Sequence, residues 1–73
     1  MYEKLKNILI DELQIDEEDI SLNSSLSEDL GINSIQLADL IMICEEKFDI
    51  EIDDENIRQF ATVGDVVNYL NNL

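Results

Sequence analysis

A chain of 73 residues has room for one domain and none for a cleft between domains. A hydrophobic share of 45% supports a packed core and excludes a disordered tail. Four basic residues against 18 acidic ones leave a net charge of −14, which excludes nucleic acid, bound through Lys and Arg on phosphate, argues against anionic membrane surfaces, and points to basic partners.

The chain has no histidine, so the commonest general base and metal ligand is missing. One cysteine, Cys44, cannot form an internal disulfide. Met1-Tyr2-Glu3-Lys4 opens without a basic segment leading into an apolar run, so no secretory signal is expected. No apolar stretch approaches the roughly 20 residues of a membrane span. The expected setting is a reducing cytoplasm, with the chain as a soluble monomer of one domain over 1–73.

The first helix is predicted over Tyr2–Leu13, where Leu5, Ile8, Leu9 and Leu13 fall on one side. Ile15–Ile20 reads as a turn with room for a short helical piece. A long loop follows over Ser21–Gly31, rich in Ser, Asn and Asp, with Ile20, Leu22, Leu26 and Leu30 as its expected anchors to the core. Loops of this length inside a small domain are often functional. The second helix is predicted from Asn33 to near Phe48. Asn33 with Gln36 three positions on forms a capping-box pattern, and Gly31 allows a tight turn before it. A short third helix is expected over Asp54–Gln59. The fourth begins after Thr62, with Asp65 completing a second capping pattern and Val63, Val66, Val67 and Leu70 as its apolar stripe. Ile50-Glu51-Ile52 alternates like a strand but has no partner, and reads as loop. The fold class is therefore all-α: a small four-helix bundle with three long helices, one short helix and a long first loop.

Advancing about 100° per residue along the second helix puts Leu37, Leu40, Ile41, Cys44 and Phe48 on one apolar face, which should meet the core. Cys44 lies in the middle of it and reads as a small buried hydrophobe rather than a reactive thiol. Ile35, Asp39, Met42 and Glu46 fall on the opposite face, with Ala38 and Glu45 on its flank. Two apolar side chains framed by carboxylates on a solvent face form a docking stripe. Ser34 sits at the helix start, where unpaired N–H groups and a partial positive charge suit a phosphate. On position alone it is an ordinary helix-start serine. Nucleophilic catalysis by Ser34 is not expected, because no histidine exists to activate it.

The segment Glu28-Asp29-Leu30-Gly31-Ile32-Asn33-Ser34-Ile35, followed by Asp39-Leu40-Ile41-Met42 and Glu45-Glu46-Lys47-Phe48-Asp49-Ile50-Glu51-Ile52, closely resembles the acyl carrier proteins of fatty acid and polyketide synthesis. Thr62-Val63-Gly64-Asp65-Val66 and Tyr69-Leu70 resemble the family's last helix. The resemblance implies that Ser34 receives 4′-phosphopantetheine from coenzyme A through a phosphodiester, transferred by a holo-synthase. It implies that the arm's thiol holds acyl groups as thioesters, and that the protein is a carrier and not an enzyme. The partners expected are that phosphopantetheinyl transferase and acyl-loading and acyl-processing enzymes with basic surfaces, meeting Ile35, Asp39, Met42, Glu45 and Glu46. Asn33, Ile35 and Gln36 stand where the family usually has Asp, Leu and often an acidic residue, and Asp53 replaces a usual proline.

Two alternatives stand beside this reading. One is an aminoacyl or peptidyl carrier of a specialised pathway. The other is an acidic cation-binding regulatory module without an arm, prompted by Asp49, Glu51, Asp53, Asp54 and Glu55. Counted from Asp49, however, the sixth and twelfth positions are Asp54 and Phe60, where an EF-hand loop needs Gly and Glu. No metal site is therefore expected.

Overall fold

Apolar residues at helical spacing close on one another in a computed structural model that describes residues 1–73. The helices are α1 (Tyr2–Leu13), α2 (Ser34–Phe48), α3 (Asp54–Gln59) and α4 (Val63–Asn71), with one 3₁₀ turn at Glu17–Asp19. The expected all-α bundle is the fold observed, with extents of 28 × 21 × 20 Å. α1 packs against both α2 and α4. Its buried Leu5, Ile8 and Leu9 meet Leu40, Ile41 and Cys44 of α2 and the Val63, Val66, Val67 and Leu70 stripe of α4 in one core. Leu37 and Phe48 flank it, half-buried.

Two left-handed residues end the longer helices. α1 stops at Gln14 (φ 56) and α2 at Asp49 (φ 54). After Gln14, the Ile15 N–H returns to the Leu9 carbonyl at 3.1 Å; after Asp49, the Ile50 N–H returns to Glu45 at 3.1 Å. Both closures satisfy carbonyls that a helix end leaves open. α3 is different in kind. It has six residues, none buried, and no side-chain cap. Half-buried Ile57 and Phe60 hold it to the core, and Phe60 meets Tyr69 edge-on at 5.6 Å, a favoured aromatic geometry.

The long first loop is fastened at both ends. Ile20, Leu26 and Leu30 are buried as expected, but Leu22 is 49% exposed, so it is not a side-chain anchor. Its backbone does the fastening instead. The Gly64 N–H donates to the Leu22 carbonyl at 2.8 Å, the Val63 N–H to Ser24 at 3.0 Å, and the Leu26 N–H to Ala61 at 2.9 Å. A Cβ on Gly64 would stand 2.8 Å from that Leu22 oxygen, closer than atoms can pack, so the approach requires glycine. Ser24 is the one buried polar residue of the chain. Its hydroxyl donates to the Asp19 carbonyl at 2.6 Å and accepts the Ser21 N–H at 3.0 Å, so the burial leaves nothing unpaired.

Candidate functional site

The approach to Ser34 is built from short-range bonds. Asp29 accepts the Ser25 N–H at 2.7 Å, and the Leu30 N–H donates to the Ser25 carbonyl at 3.1 Å, which curls residues 25–30 into a turn. Leu30 and Ile32 bury their side chains on either side of Gly31. Gly31 takes φ +66 with open space around it, a left-handed conformation that costs a non-glycine residue roughly 1–2 kcal/mol. The Ile32 N–H then ties back to the Leu26 carbonyl at 2.9 Å. The chain therefore enters α2 from a fixed direction.

Asn33 caps the helix. Its Oδ1 accepts the Gln36 N–H at 2.8 Å while the Gln36 Oε1 accepts the Asn33 N–H at 3.1 Å, the capping box that the sequence predicted. The Leu37 N–H donates to the Asn33 carbonyl at 2.9 Å. The N–H groups of Ser34 and Ile35 have no acceptor within the protein. Ser34, at the first helical position, is exposed. Its hydroxyl thus stands in solvent on a rigid turn, beside two unpaired donors and with no carboxylate in the first turn. That donor set fits the single negative charge of a phosphodiester.

The faces of α2 fall as the periodicity predicts. Ile35 and Met42 are 72% and 57% exposed, and Ala38, Asp39 and Glu46 share their outward face. Glu45 departs from the expected surface role. It is half-buried, and its Oε2 accepts the Ile52 N–H at 2.9 Å. The left-handed turn at Asp49 folds the chain back over α2, so this carboxylate fastens the α2–α3 loop. No basic residue stands between Lys6 and Lys47, so the outward face of α2 up to Glu46 is negative without internal compensation. The one ion pair, Lys6 with Glu17 at 3.5 Å, lies elsewhere.

Cys44 is fully buried. Burial, and secondarily the neighbouring Glu45 charge, push its thiol up to about 11, so it stays protonated and inert at neutral pH. The two open grooves on the surface, one between α1 and the end of α2 and one between α3 and α4, include neither Ser34 nor the Ile35–Met42 stripe. No three His, Cys, Asp or Glu side chains converge to hold a metal ion.

Sequence reasoning missed the roles of Ser24, Leu22 and Glu45 in positioning these segments. Ser24 gave no signal in a serine-rich loop, and Leu22 acts through its backbone. Glu45 acts through a turn that no periodicity announces.

A family profile described as "Phosphopantetheine attachment site" matches residues 3–70. The chain is 47% identical over 70 residues to an acyl carrier protein of Clostridium acetobutylicum, covering 96% of this chain and 91% of that one. It is 44% identical to an acyl carrier protein of Clostridium perfringens strain 13, covering 96% and 92%. The chain belongs to the phosphopantetheine-attachment family and is a carrier of the acyl carrier protein kind. Its cofactor is 4′-phosphopantetheine.

Proposed function

We propose that Ser34 is the attachment point of the arm, and that the protein carries acyl groups among the enzymes of fatty acid or polyketide synthesis. One observation carries the assignment: an exposed hydroxyl at the first position of a capped helix, bordered by unpaired N–H groups and by exposed Ile35. In loading by a phosphopantetheinyl transferase, the Ser34 Oγ–phosphorus bond forms as the bond from that phosphorus to the 3′,5′-adenosine bisphosphate of coenzyme A breaks. The serine proton passes to a base of the transferase. When bound, the arm supplies a thiol that holds an acyl group as a thioester.

The chain's own residues orient and present. Gly31, Asn33 and Gln36 fix the direction of Ser34. Asp39 and Glu46 attract basic partner surfaces and raise encounter rates. Ile35 and Met42 supply apolar contact beside the arm, and methionine adapts to several partners in turn. Glu45 serves this face only indirectly, by holding the loop behind it. The protein itself catalyses nothing in this reading, and works as a monomeric single domain in the cytoplasm.

Loading tests the assignment. With coenzyme A and a transferase of broad specificity, the intact mass should rise by one arm. Ser34→Ala should keep its helical circular dichroism and gain no mass. A gain by the folded Ser34→Ala variant would refute the site.

A further inference from the structure

α2 and α4 begin with the same device in two electrical forms. At α4, Asp65 accepts the Ala61 and Thr62 N–H groups at 2.9 and 3.0 Å, and these two bonds hold its carboxyl below the usual carboxylate range. An anion therefore sits where the helix dipole is positive. α1 has Glu3 in its first turn, and α3 has Asp54 and Glu55. α2, the longest helix, has no acidic residue there, although the chain has 18. The position equivalent to Asp65 is the neutral Gln36, and the Ser34 and Ile35 N–H groups lack acceptors.

We propose that the phosphodiester carried on Ser34 supplies the N-terminal anion that α2 lacks, so that loading the arm stabilises the fold. This rests on the assignment of Ser34. Two effects oppose each other. A further negative charge on a body of net −14 adds to self-repulsion and lowers stability. The same charge, on the phosphate oxygens next to Ser34 Oγ, would be carried at the positive end of a 15-residue helix whose Ser34 and Ile35 N–H groups lack acceptors. Repulsion from distant carboxylates is screened over about 10 Å at 0.1 M salt, whereas the helix-end interaction acts within one turn. The local effect wins, and loading and folding are thermodynamically coupled.

The test compares melting temperatures of the unloaded and loaded protein, with intact mass recorded on the same samples. At 0.1 M salt the loaded form should melt about 2–6 °C higher. That gain should fall below half near 1 M salt, where the screening length is about 3 Å. Gln36→Glu places the anion in the unloaded chain, so it should melt higher than the parent and gain less than half as much on loading. Ser34→Asp should raise the melting temperature with no arm at all. A mass gain of one arm with an unchanged or lower melting temperature at about 0.1 M salt overturns the coupling while leaving the site intact. So does an undiminished gain in Gln36→Glu, which would trace the effect to packing of the arm. If Gln36→Glu does not fold, Ser34→Asp decides, and its melting at or below the parent overturns the proposal. An unchanged mass overturns the site and the coupling together.

Discussion

The starts of α2 and α4 share a capping box and differ in everything around it. At α4, Thr62 Oγ1 accepts the Asp65 N–H at 3.2 Å, and the first loop lies against the turn through the Leu22, Ser24 and Leu26 backbone bonds. Val63 and Val66 are fully buried beneath it. At α2, Asn33 and Gln36 make the same reciprocal bonds, yet Asn33, Ser34 and Ile35 all face solvent. One box is a joint inside the fold, and the other is a mount that holds a hydroxyl outward. The chemistry of capping is local; its use depends on whether neighbouring chain occupies the donors and side chains it exposes.

The comparison extends along α2, whose inner face should be as intolerant as α4 and whose outer face should not. Leu40→Ala, on a fully buried residue, should cost about 2–5 kcal/mol, read from denaturant midpoints. Met42→Ala should stay within about 0.5 kcal/mol of the parent while weakening partner binding at every salt concentration. Reversal of that order would place the docking stripe on the wrong side of the helix.

The glycines next to the two boxes separate close approach from backbone strain. Gly64→Ala forces a methyl onto the Leu22 carbonyl and should cost about 1–3 kcal/mol, with faster hydrogen exchange at Leu22–Leu26 as the first loop detaches. Gly31→Ala meets no neighbour but keeps φ +66, so roughly 1–2 kcal/mol is expected. That loss should appear around Leu30–Ser34 and leave the α4 joint protected. Equal deprotection of both regions by both variants would mean that the two starts are one cooperative unit.

Much of this was legible in advance. Leu5, Ile8 and Leu9, and the valines of α4, recur at a period that only a helix satisfies, and capping pairs mark where α2 and α4 begin. Ser34 was singled out through its place in the Asp-Leu-Gly-containing segment rather than through any property of serine. Leu22 misled because a loop has no period: its apolar side chain reads as an anchor, while the fastening group is a carbonyl that every residue possesses. Glu45 misled because its partner, the Ile52 N–H, lies beyond a left-handed turn at Asp49, and Asp at that position looks like one more surface acid. Backbone hydrogen bonds across loops leave little mark on side-chain identity.

Removing the charge from the α4 box gives a smaller effect with a defined pH signature. The Ala61 and Thr62 N–H donors hold the Asp65 carboxyl below the usual carboxylate range in the folded chain. Its contribution is therefore full above the unfolded value and is lost as pH falls through the lowered folded one. Asp65→Asn should melt below the parent at pH 7, and the gap should close as the pH drops below about 4. A gap independent of pH would assign the role of Asp65 to shape rather than charge.

The smallest effect on stability is expected on the outer face of α2. Glu46→Lys should leave melting nearly unchanged, and slow association with a basic transferase several-fold at low salt. The difference should shrink as salt screens the exposed charge. Stopped-flow association rates at two ionic strengths read this directly.

Site localisation tests the central claim most directly. Fragmentation mass spectrometry of the loaded protein should place the arm on Ser34 alone, the one serine held outward by a capped helix start. An arm on Ser21, Ser24, Ser25 or Ser27 would contradict the account, because those residues belong to the loop that fastens the fold rather than to the exposed start of α2.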